Sequence, residues 1–114
     1  MSALCDGVIQ VIKECFPELK IKTEEHVSFR GQRLFIDILL PQLNLIIEVH
    51  GRQHKEYVPH FHGSLYGFLA AKKRDSLKEE WAHTNDYTYL VLWENDLPIT
   101  KDRLLELIRE KQNG

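Results

Sequence analysis

The sequence predicts an α/β (α+β) domain in which helices flank a mixed β-sheet, with elements in the order α-β-β-β-α-β-α. Two apolar runs rich in Ile, Leu and Phe, at 34–40 and 43–49, are joined only through Pro41-Gln42, which predicts an antiparallel hairpin. Amphipathic segments with helical spacing stand at both ends and in the middle of the chain. An aromatic and β-branched stretch, 87–93, separates the second of these from the third. Strands and helices interleaved in this way pack as a sheet with helices laid on it.

Taken in order, Leu4, Val8, Val11, Ile12 and Cys15 share one helical face, so 2–16 reads as an amphipathic helix. Ser2 is its N-cap and Pro17 its stop. Residues 25–29 form a short strand that ends in the Arg30-Gly31-Gln32 turn. The two hairpin strands follow, each with both faces largely buried. From Gly51 to Gly67 the pattern dissolves into His, Gly, Pro and aromatic residues, which predicts a loop. A second helix runs over 68–83 with Leu69, Leu77 and Trp81 as anchors, and 87–93 is a core strand. Thr100 caps a last helix whose stripe of Leu104, Leu105 and Ile108 is core packing or a dimer face, with core the expectation.

A chain of 114 residues without repeat or linker is expected to be one domain, 1–114. Hydrophobic residues at 43% and charged residues at 28% fit a globular protein. Fifteen Lys and Arg against seventeen Asp and Glu give a net charge of −2, which argues against coating nucleic acid or membrane by bulk charge. A local basic patch is not excluded by that balance. No apolar run approaches the roughly 20 residues of a membrane span, and Met1 is followed by no signal-peptide pattern. Cys5 and Cys15 on one helix would lie about 15 Å apart, beyond bridging distance. The expectation is a reducing, intracellular setting without membrane contact.

Asp37 and Glu48 do not belong in apolar strands unless paired or bound to a cation. On neighbouring strands they can converge, and carboxylate oxygens suit Mg²⁺ or Mn²⁺. The plainer alternative is solvent exposure or pairing with Arg30, Arg33 or Arg52. In Glu48-Val49-His50-Gly51-Arg52-Gln53-His54, the period of two points Glu48 and His50 the same way. Gly51 lets the chain turn and return Gln53 or His54 to the same place. A base beside a metal is what phosphodiester hydrolysis requires. His50, His54, His60 and His62 also raise a structural zinc site, although His60 and His62 read better as phosphate contacts or exposed groups. On the second helix Asp75 and Lys78 share a face that can point inward, with Lys72, Lys73 and Arg74 toward solvent or DNA. A surface ion pair between Asp75 and Lys78 is the competing reading.

Asp37, the 48–54 stretch, Arg74-Asp75-Ser76-Leu77-Lys78-Glu79-Glu80-Trp81 and the 87–93 strand together resemble the PD-(D/E)XK nuclease superfamily. The resemblance is nearest to its branch of very-short-patch repair endonucleases and phage homing endonuclease domains. It implies a restriction-endonuclease-like fold and Mg²⁺-dependent DNA cleavage. Carried over by position, Asp37 matches the metal-binding aspartate and Glu48 the second acidic position. The superfamily's lysine falls at His50, which leaves its role to His50, Gln53 or His54. The histidine-using branch makes His54 and Asp75 the natural matches, with Asp6, or less well Glu14, as the acid of the first helix. Arg52, His60, His62, Lys72, Lys73, Arg74 and Lys78 are the implied DNA contacts. Cleavage of both strands would call for a homodimer or a larger assembly. The absent Glu-X-Lys signature keeps open a catalytically inactive nuclease fold that binds nucleic acid or a partner protein.

Overall fold

The computed structural model describes residues 3–114, so the Ser2 cap lies outside the described residues. Helix α1, Ala3–Cys15, buries Cys5, Val8, Ile9 and Ile12 on one face. Strand β1, Lys22–Phe29, starts three residues before the predicted 25. Its first residues are polar and partly exposed, and pairing of Lys22 with Leu39 and Thr23 with Ile38 holds them where no apolar alternation signals a strand. Arg30 and Gly31 both take positive φ, 50° and 76°, forming a two-residue turn whose twist suits a hairpin. Strand β2, Gln32–Leu40, follows directly. A 3₁₀ turn, Pro41–Leu43, closed by Asn44 in the left-handed region, delays β3 to Leu45–His50.

The segment expected to be a loop is largely structured. It holds a 3₁₀ turn, Arg52–His54, a four-residue helix α2, Pro59–His62, and the start of α3, Leu65–Thr84. Helix α3 begins before the predicted 68 because the Ser64 hydroxyl caps it, accepting the Gly67 N–H at 3.1 Å. Position 67 has no room for a side chain, since a Cβ there would collide with the His62 carbonyl oxygen. Leu69 is not an anchor: it is 57% exposed, on the first half of α3, where Phe68 meets Tyr57 and His62 of the preceding segment. Leu77, Trp81 and Ala82 fix the second half. Strand β4, Thr88–Trp93, and helix α4, Lys101–Asn113, complete the chain, with the Thr100 hydroxyl capping α4.

The sheet order is β1-β2-β3-β4, antiparallel except for the parallel β3–β4 pair. A parallel pair needs a crossover, and the segment carrying α3 supplies it across one face. Helices α1 and α4 cover the other face. Alternation divides the strands accordingly: Leu45, Ile47, Leu90 and Leu92 pack with α1 and α4, while Ile46 and Tyr89 pack with Ala82 of α3. The architecture is therefore mixed α/β, a four-stranded mixed sheet between helices.

Within one chain Leu104 and Ile108 are buried in the larger core, joined by Leu107, while Leu105 is only half-buried. The α4 stripe is thus core packing. Leu104→Ala is expected to cost about 2–5 kcal/mol in urea denaturation. A loss under about 1 kcal/mol would contradict that packing.

Candidate functional site

The β2–β3 ladder pairs Leu40 with Leu45, Leu39 with Ile46 and Ile38 with Ile47, and stops there. One step further, side-chain carboxylates replace main-chain carbonyls. The Asp37 N–H donates to Glu48 Oε2 at 2.7 Å, and the Val49 N–H donates to Asp37 Oδ2 at 2.9 Å. Each acid therefore satisfies a backbone donor left over where the strands part. Ile46, Glu48 and His50 alternate along β3, so all three face α3.

Helix α3 answers with two groups one turn apart. Lys78 Nζ donates to Glu48 Oε1 at 2.8 Å, and the Asp75 carboxylate accepts from His54 Nδ1 at 2.7 Å. Asp75 and Lys78 thus pair with the sheet side of the site and not as a surface couple. Gly51 and the 3₁₀ turn carry His54 back over His50, where the two rings stack at 3.8 Å and 5° between planes. Trp93, opposite His50 in the parallel ladder, meets that ring edge-on at 5.1 Å. Lys55 Nζ sits 4.0 Å over Trp93.

Electrostatics follow from this packing. Glu48 is fully buried, and burial pushes its carboxyl up. His50, Lys78 and the Asp37 N–H outweigh that and hold it below the ordinary range. Burial likewise works against Asp75, but its bond to His54 and the nearby cationic groups hold it low. Asp37 goes the other way, raised by burial and then by the Glu48 charge beside it. Counting imidazoles as neutral, three carboxylates face one ammonium, and the surplus of negative charge suits a divalent cation. Among the described residues no hydrogen bond is made to Asp37 Oδ1. His50, His54 and Asp75 also offer donor atoms within 4.8 Å of one another. Stacked parallel rings, however, do not both aim their in-plane lone pairs at one ion, so His54 is held by Asp75 and not as half of a His₂ site. Among the described residues His50 Nε2 is buried without a hydrogen bond, 3.8 Å from Glu48 Oε1.

Asp37, Glu48, His50, His54, Asp75 and Lys78 thus come together, and the other candidates do not. Asp6 is exposed on α1, whose inward residue near Asp37 is Cys5, a thiol pushed up to about 11 by burial first and then by that carboxylate. Gln53 folds back over Gly51. His62 is spent on its own helix, with Nδ1 accepting the Val58 N–H at 3.0 Å, and exposed His60 packs on Phe61. The four histidines therefore do not converge on a zinc ion. Arg52 leans on Glu56 while its N–H donates to Glu94 Oε1, and Arg30 pairs with Glu80. Lys72, Lys73 and Arg74 are exposed, as expected. Sequence reasoning missed Trp93 and Tyr89, whose hydroxyl is buried without a hydrogen-bond partner among the described residues. Only the parallel β3–β4 register, which brings Trp93 beside His50, identifies the first.

Asp37→Asn keeps an acceptor for the Val49 N–H and removes a disfavoured charge, so its urea midpoint is expected to match or exceed wild type. Glu48→Ala orphans Lys78 and is expected to lose roughly 3–5 kcal/mol. Glu48 and Asp75, held low, stabilise the fold above their ordinary values of 4.5 and 3.8, and that stability is lost as pH falls through the lower folded values. Asp37, held high, contributes in the opposite sense, losing its share as pH rises. Asp75→Asn should therefore flatten the acid limb of denaturation curves recorded from pH 7 downward. An unchanged limb would contradict the His54–Asp75 bond.

No protein-family model matches the chain, and no solved structure matches it. A curated protein of Invertebrate iridescent virus 6, carrying the name Uncharacterized protein 307L, is 37% identical over 57 residues. Those residues make up 50% of this chain and 29% of the viral protein, so the chain spans under a third of the relative it matches.

Proposed function

We propose that the protein is a metal-dependent DNA endonuclease with a restriction-endonuclease-like, PD-(D/E)XK-type fold. The observation that carries this reading is the convergence of Asp37 and Glu48 where β2 and β3 part, with Lys78 on Glu48 and the His54–Asp75 pair beside them. The ammonium that the resemblance would put at position 50 comes here from α3.

The oxygen donors fit a hard cation: Asp37, with its spare oxygen and raised pKa, and Glu48 would hold Mg²⁺ or Mn²⁺. That ion would supply Lewis-acid stabilisation of charge developing on the scissile phosphate. The chain's own groups supply the rest. The Asp75 carboxylate fixes His54 as the tautomer with its proton on Nδ1, which leaves Nε2 free to take a proton from an attacking water. His50, pinned by Trp93, supports the His54 ring from below. Lys78 neutralises Glu48 and brings positive charge toward a bound phosphate.

Supercoiled plasmid incubated with the protein in Mg²⁺, in Mn²⁺ and in EDTA provides the test. Nicking or linearisation is expected with metal only. Asp37→Asn should abolish it, and His54→Ala should slow it by about 10²–10⁴-fold. Cleavage that survives in Asp37→Asn would overturn the reading. Absence of cleavage together with absence of metal-binding heat would leave a nuclease-type fold that only binds.

A further inference from the structure

We propose that the surface between the first half of α3 and the tip of the β1–β2 hairpin binds an unpaired DNA strand, so that the substrate is cut at or beside single-stranded nucleotides. The proposal rests on the nuclease reading and adds a substrate class to it.

Four large apolar side chains stand exposed within nine residues: Phe61, Leu65, Tyr66 and Leu69, with Tyr66 82% exposed. Phe61 belongs to α2, and the other three to the first turns of α3, outside the core. Beside them a groove of about 340 Å³ opens between α3 and Gln32, lined also by Tyr66, Leu69, Lys73 and Arg74. Lys72, Lys73 and Arg74 form no ion pair among the described residues, whereas Arg30 pairs with Glu80 and Lys78 with Glu48. The run precedes Asp75 on the same helix but on its exposed side, while Asp75 turns toward His54.

This combination selects among occupants. In a duplex the bases already stack on each other, and reading them from a groove calls for hydrogen-bonding side chains. Exposed aromatics gain from bases only where these are unpaired, and flanking cations then follow the phosphates. A second copy of the chain is the competing occupant. A symmetric contact centred on the groove would press one copy's Lys73 and Arg74 against those of its partner, which like charge opposes. A chain of net charge −2 with three carboxylates in its site also needs such a strip to admit a polyanion at all.

The experiment is fluorescence anisotropy in EDTA, with one labelled oligonucleotide offered as a single strand, as a blunt duplex and as a flap on a duplex. The single strand and the flap are expected to bind about tenfold or more tighter than the duplex. Tyr66→Ala should remove about tenfold of that affinity with its thermal midpoint unchanged, since the ring is outside the core. Lys73→Ala should lower the salt slope by about 0.7 on the single strand. Equal affinity for the duplex, or no effect of Tyr66→Ala, overturns the proposal. A dimer in sedimentation that Tyr66→Ala dissociates would assign the face to a second copy and overturn it as well. Because binding is read without metal, cleavage without strand preference defeats this proposal alone. Strand binding without cleavage in any metal defeats only the nuclease reading.

Discussion

Where β2 and β3 part, the Asp37 and Val49 N–H groups lose main-chain partners and take carboxylates in their place. Everything at that end of the sheet depends on this exchange. Unmade, it would leave two half-buried donors without a protein partner, at a cost of up to about 1–3 kcal/mol each. Made, it sets the buried Glu48 beside the half-buried Asp37, which is tolerable because α3 delivers Lys78 to Glu48. The position of α3 on the sheet is thus set by charge as much as by Leu77 and Ala82. A nonpolar pair at 37 and 48 would remove the charge contribution and leave the packing of Leu77 and Ala82 to hold that register.

Much of the fold is legible in the residues, for identifiable reasons. Buried strands and amphipathic helices declare themselves by apolar spacing, as β3 and α1 do. The polar start of β1 does not, because its stability comes from a partner strand and not from its own side chains. Leu69 misleads for the converse reason: helical periodicity says which residues share a face, not whether anything lies opposite that face. The early start of α3 carries a local signal, Ser64 three residues before Gly67, that the surrounding irregular composition obscures.

The site divides in the same way. Asp37 and Glu48 stand out as acids in apolar runs, and Gly51 and His54 follow from chain reversal after a strand. Which cation meets which acid is a matter of tertiary placement. Spacing suggests an Asp75–Lys78 couple, yet the helix presents each to a different element, and the pairs that form are His54–Asp75 and Glu48–Lys78. Aromatic support by Trp93 depends on sheet order, which no local pattern encodes.

The parallel pairing of β3 with β4 leaves the 51–64 segment outside the sheet while both of its ends are anchored, at His50 and at the capped start of α3. Loop-closure entropy grows only logarithmically, so doubling that segment would cost about 0.6 kcal/mol. Lengthening or rewriting its part beyond His54, residues 55–64, leaves in place the ladder, the Asp37–Glu48 exchange and the His54–Asp75 pair. Residues 55–64 can therefore vary in length and composition while the strand ends, His54 and the second half of α3 stay constrained by the contacts they make to one another.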